Sequence, residues 1–169
     1  MDRRSILTLG AAASLGLLPR VAAAQAKTLK EQIVGTWALV SEVDVKKDGT
    51  RVAHFGTDAK GMLVLDQEDH FSLMIVRTNL PKFDGKNVNE GTTTEYRTVM
   101  QGMVAEFGTY TVNEVDKTFT THVEGSWFPN AVGHDQKRTI IALSAVELKY
   151  SNPVVSTGES IEAQWKRAK

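Results

Sequence analysis

The chain has 169 residues, no cysteine, and 20 basic residues against 20 acidic ones. That length holds one domain and is short for two. Balanced charge without a basic block argues against nucleic-acid binding, which needs clustered Lys and Arg to neutralise phosphates; the lack of Cys excludes disulfides, thiolate zinc sites and thiol nucleophiles, so the fold rests on its core alone.

The first 26 residues, MDRRSILTLGAAASLGLLPRVAAAQA, read as an export signal and not as part of the fold. A short charged start precedes an apolar stretch from Ser5 to Leu18, and small residues precede Lys27. The apolar stretch is too short, and too rich in Ala and Gly, to span a bilayer, so no stable membrane span is expected. Arg3 and Arg4, followed by a spacer residue and two apolar residues, resemble the twin-arginine export pattern; a general secretory signal with two adjacent arginines is the other reading. Cleavage near Ala26 leaves residues 27–169 as one domain with a small net negative charge, and the expected location is periplasmic or secreted.

Beyond that point the dominant period is two. In TWALVSEVDVKK, Trp37, Leu39, Val43 and Val45 share one parity and Glu42, Asp44 and Lys46 the other, the pattern of a half-buried strand. KDGT (47–50) is a turn signal. GMLVLD (61–66) and HFSLMIVRT (70–78) flank a short polar QED and predict a hairpin. Residues 79–91, with a Pro and two Gly, predict a loop. TTEYRTVMQ predicts one short helix, opened by a Thr cap with Glu95 in its first turn. Strands resume at EFGTYTVNE and KTFTTHVEGSWF, joined by a turn near Val115 and Asp116, and continue through 136–144, 146–152 and 160–168.

Regularly spaced strands with short connections predict an all-β fold, an antiparallel up-and-down β-barrel of 8–10 strands with one short helix. A barrel is favoured over a sandwich because the strands follow one another as a meander. The first and last strands also alternate cleanly and each carries a Trp, so pairing them would remove both sheet edges. Trp37 and Trp165 are the expected core plugs.

Gly35-Thr36-Trp37 resembles the Gly-X-Trp motif at the start of lipocalin barrels, where the Trp plugs the closed end. Further matches are Phe55-Gly56, Gly61, Gly108-X-Tyr110, and then His122, Glu124, Pro129, Gly133 and Arg138. Together they resemble the bacterial and fungal lipocalin-like domain family over nearly all of residues 33–167. Members often carry two adjacent histidines where this chain has Thr121-His122. The resemblance implies a small barrel with a cavity for an apolar or amphipathic small molecule. It implies no reaction, because fold alone does not fix function.

The stretch THVEGSWFPNAVGHDQKR (121–138) concentrates the polar candidates. Thr120, His122, Glu124 and Ser126 share one strand face and Phe119, Val123 and Trp127 the other. Gly125 is a place for a bulge, at which parity switches, so the direction of His122 and Glu124 stays open. Arg138, on the following strand, is a candidate partner for Glu124.

Three readings follow. The first is a binding barrel whose cavity is lined by Phe71, Met74, Tyr110, Trp127 and Tyr150, with His122, Glu124 and Arg138 supplying polar selectivity. The second is a cofactor-free isomerase, cyclase or hydratase in which His122 is the acid/base, Glu124 orients it and Arg138 holds an anionic group. The third is a structural protein with a filled barrel. No cofactor is expected. No metal site is expected either, because His54, His70, His122 and His134 are scattered without ligand spacing.

Overall fold

A computed structural model describes residues 26–153 and 159–169. The expected export segment therefore lies outside the described residues up to position 25. The chain opens with a five-residue helix, α1 (Leu29–Ile33). Nine strands follow, β1 (Gly35–Val45), β2 (Arg51–Val52), β3 (Lys60–Leu65), β4 (His70–Val76), β5 (Met103–Asn113), β6 (Thr118–Ser126), β7 (Asp135–Leu143), β8 (Glu147–Asn152) and β9 (Ser160–Arg167), with helix α2 (Thr93–Gln101) between β4 and β5.

Every neighbouring pair in the sheet is antiparallel, and β1 also pairs with β9. The two-residue β2 continues the edge of β1 beyond β3, so the barrel proper is a closed meander of eight strands. Closure abolishes free sheet edges, and the alternating first and last strands supply it. The expected helix is α2, and its Thr92–Glu95 capping box starts it where the Thr and Glu signals place it. Helix α1 and strand β2 are additions; both are too short to show a period in the sequence.

One end of the barrel is sealed. Trp37 is fully buried and its indole Nε1 donates to the Ile33 carbonyl at 2.8 Å, tying α1 to the plug. Arg167 lies with its guanidinium carbon 4.1 Å from the centre of the Trp37 ring. The same guanidinium donates to the carbonyls of Gln32, Val34 and Ala145. Gly35 suits this position because its φ of +141° is one that residues with a Cβ rarely adopt, and a Cβ there would also crowd Arg167 Nη1 at 2.3 Å. The N-terminus of α1 is held by the Glu114 carboxylate, which accepts from the backbone nitrogens of Leu29 and Lys30 at 2.9 and 3.2 Å. Leu65, Phe71, Tyr110, Val123, Leu148 and Trp165 fill this half of the interior.

Bulges in three strand pairings, the third at Ile141 between β7 and β8, decide which side chains point inward in the other half. Across the β1–β9 seam the register shifts between Leu39 and Ser41, so Val40 is an extra residue. The inward set on β1 therefore changes from Trp37 and Leu39 to Glu42 and Asp44, both buried. The expectation that Val43 and Val45 continue the buried face is corrected by this one inserted residue. Across β5–β6, Phe107 pairs with Gly125 and Gly108 with Val123, leaving Glu124 as the extra residue. Gly108 permits that approach, since a Cβ there would lie 2.1 Å from the His122 carbonyl oxygen.

The sealed end is expected to dominate stability. Trp37→Ala should cost about 3–5 kcal/mol. Arg167→Ala, which strips a cation from the ring and a donor from three carbonyls, should cost about 2–3 kcal/mol. Urea unfolding measures both; a Trp37→Ala loss below about 1 kcal/mol would show that the plug does not hold this end.

Candidate ligand pocket

Past the plugged half, the interior opens into a cavity of about 540 Å³. That volume lies within the range of small-molecule pockets. The void begins at a row of residues facing inward across three strands, Glu42 on β1, Ala163 on β9 and Tyr150 on β8. Ala163 is the small member of that row, and its missing side-chain volume leaves space between the carboxylate and the ring. Leu73, Ile75 and Val104 form apolar wall, and Met100, Gln101 and Trp127 stand at the rim. Trp127 is held by its indole donating to the Met100 carbonyl at 3.2 Å, which fastens the segment after β6 to α2.

Two polar poles face each other across this cavity. The first is a closed network around Arg138, a side chain buried to 3% exposure. Its Nη2 pairs with Glu106 Oε1 at 3.2 Å and donates to Gln136 Oε1 at 2.9 Å, while Nη1 donates to the Thr121 hydroxyl. Gln136 Nε2 in turn donates to Glu106 Oε2 at 3.2 Å. The guanidinium also sits 5.7 Å from the ring centres of both Phe119 and Tyr150. Burial raises the Tyr150 hydroxyl above its ordinary range, against the pull of the Arg138 charge. Each charge in this network has a partner, as burial demands.

The second pole is Glu42, Asp44 and His54. Asp44 Oδ2 lies 3.4 Å from His54 Nδ1, and Arg77 Nη2 donates to the His54 carbonyl at 2.5 Å. Glu42 is 7% exposed, and its Oε2 has no hydrogen-bond partner. Burial, followed by the adjacent Asp44 charge, pushes its carboxyl up to about 7.

These features coincide with a match along the sequence. The family model of the lipocalin-like domain matches residues 34–168. The chain belongs to the lipocalin-like domain family. Among solved structures, the barrel is similar to a redesigned beta barrel at 12% identity, covering 84% of this chain and 96% of that one, with a TM-score of 0.44. It is similar to a lipocalin-like protein from Bacteroides uniformis at 13% identity, covering 81% and 99%, with a TM-score of 0.43. It is also similar to a mutant of the fluorescent protein UnaG at 15% identity, covering 82% and 98%, with a TM-score of 0.36. No curated protein matches its sequence.

In this lipocalin-like barrel the sequence candidates separate. Trp127, Arg138 and Tyr150 stand on the cavity wall. Phe71 and Tyr110 are buried in the filled half instead; the Tyr110 hydroxyl donates to the Asp66 carbonyl at 2.7 Å, and burial pushes it up to about 12. Met74 points outward and is 49% exposed, because Leu73 and Ile75 hold the inward parity of β4. His122 also points outward, where its Nδ1 lies 2.8 Å from Asp135 Oδ1. Glu124, the bulge residue, is exposed. The partner of Arg138 is Glu106 and not Glu124, so His122, Glu124 and Arg138 do not converge on one reacting point. The residues that sequence reasoning passed over are Glu42, Asp44, His54, Arg77 and Glu106. Only the placement of acids inside a strand pattern hinted at any of them, and parity assigned Glu42 and Asp44 to water.

Two stability experiments follow. Arg138→Met strands a buried Glu106 charge and should cost about 3–5 kcal/mol, whereas adding Glu106→Leu should recover most of that loss. Failure of the double variant to recover would show that the network is not a buried ion pair with its own desolvation cost. Glu42 has a folded-state value above its unfolded one, so its contribution is full below about pH 4.5 and is lost as pH rises through about 7. Wild type should therefore lose on the order of 3 kcal/mol relative to Glu42→Gln between pH 4.5 and 8. Parallel pH profiles of the two proteins would refute the burial of that carboxyl.

Proposed function

We propose that this chain is an exported lipocalin-like protein whose barrel cavity binds a small apolar or amphipathic molecule. The observation that carries the reading is the cavity of about 540 Å³ beyond a plugged end, with apolar walls and two separated polar poles. A filled barrel would place side chains where Ala163 leaves space. An apolar body in contact with Leu73, Ile75 and Val104 releases ordered water from both surfaces, and each polar pole fixes the orientation of one end. The export part of the reading rests on the charged start, short apolar stretch and small-residue tail of the first 26 residues. Delivery to the periplasm or the medium suits a chain without thiols, which gains nothing from an oxidising compartment and loses nothing there.

Mass spectrometry of the protein recovered from the periplasm or medium of an expressing host tests both parts. Denatured spectra should show a chain beginning near Lys27, and native spectra should show additional mass that disappears on denaturation. Ala163→Leu, which fills the void beside Tyr150, should keep the fold and abolish both that extra mass and the uptake of a fluorescent apolar probe. Undiminished probe uptake by Ala163→Leu would place binding outside the barrel.

A further inference from the structure

We propose that the Glu42–Asp44 pole is a subsite for a protonated amine, so that the ligand is a cationic amphiphile whose nitrogen lies against Glu42 and whose apolar body lies along the cavity wall. This rests on the binding reading above and names the chemistry of its ligand. Three observations on the structure support it.

The first is the orphaned acceptor. Glu42 lines the cavity, and its buried Oε2 has no hydrogen-bond partner. A buried acceptor left in that state is costly, and a donor arriving from the cavity removes the cost. The second is the imbalance of charge around the void. Its titratable wall groups other than Glu42 are Asp44 on the same strand, His54 after β2, Arg77 past β4, Glu106 on β5, Arg138 on β7 and Tyr150 on β8. Arg138 is committed to Glu106, Gln136 and Thr121. Arg77 directs Nη2 to the His54 carbonyl and leaves its buried Nε without a partner, but no ion pair joins it to either acid of the pole. Two adjacent carboxyls thus face the cavity with an imidazole as their nearest basic neighbour.

The third is shape. Glu42 and Tyr150 flank Ala163, whose small side chain leaves room beside the carboxyl for a small head group. Among the described residues no set of three His, Asp or Glu is arranged to hold a metal ion. An ammonium group, with up to three N–H donors, suits two carboxylates better than a hydroxyl, which brings a single donor. A carboxylate head group would meet like charge. Because burial and Asp44 hold the Glu42 carboxyl near 7, the subsite gains its charge as pH rises through neutrality, while an alkyl amine stays protonated.

Competition against a neutral fluorescent apolar probe, with decylamine, decanol and decanoate at submicellar concentration, tests this. At pH 8, decylamine should bind about tenfold more tightly than decanol and more tightly still than decanoate. Its advantage over decanol should shrink toward pH 5.5. Glu42→Gln should remove most of that advantage, with a native circular-dichroism spectrum showing that the variant is folded. Asp44→Asn gives an independent reading of the same pole should Glu42→Gln fail to fold. Decanol or decanoate binding as tightly as decylamine, or a preference for amine that survives Glu42→Gln, overturns the amine subsite and leaves the small-molecule reading standing. No displacement by any of the three overturns the amine subsite, and no uptake of the probe itself overturns both.

Discussion

The seam between β1 and β9 is the constraint on which the rest of the structure depends. It joins the two ends of a meander and so removes the open edges that any eight-stranded sheet of this length would expose. It also contains the inserted residue Val40. Toward the plugged end, strict alternation delivers Trp37 and Leu39 to the interior. Toward the other end, one extra residue delivers Glu42 and Asp44. The same pairing that closes the barrel therefore divides its interior into an aromatic plug and a charged chamber.

Charge inside such a chamber is tolerated only with compensation, and this barrel uses two solutions. Arg138 and Glu106 neutralise each other, with Gln136 and Thr121 satisfying further donors and acceptors. The geometry is well satisfied, as it must be if Coulomb attraction is to offset two desolvation costs. Glu42 has no cation beside it and instead retains its proton to near-neutral pH. The first arrangement is a closed network of paired groups. The second couples the electrostatics of the cavity to pH, and it leaves one buried acceptor without a partner.

The resemblance motifs divide along the same line. Gly35, Trp37, Gly108 and Tyr110 belong to the plug and to the bulge that shapes β6. Arg138 alone of the His122, Glu124 and Arg138 series enters the interior, and it does so as the partner of a carboxylate two strands away in the sheet. His122 and Asp135 instead make an exposed contact across β6 and β7, of the kind that contributes little to stability. The pattern in the sequence thus marks the architecture of the barrel more than the chemistry of its pocket.

By itself the sequence determined the class of fold, the eight main strands within a few residues, the capped helix α2 and the two Trp plugs. All of these are local or periodic properties, and short-range alternation and turn chemistry carry them. Trp127 and Tyr150 are legible as cavity residues because they are large aromatics, and Arg138 through the family resemblance and an expected pairing with Glu124; the same aromatic argument misplaces Phe71 and Tyr110. Tertiary structure alone decided the rest. Val40 and Glu124 become bulge residues only through pairing with a partner strand, and the period-two rule cannot count past an inserted residue. Glu42 and Asp44 therefore read as solvent-facing acids in the sequence and stand in the cavity of the folded chain. Glu106 and Arg138, 32 positions apart, meet because the meander sets β5, β6 and β7 side by side with both side chains on the inner face.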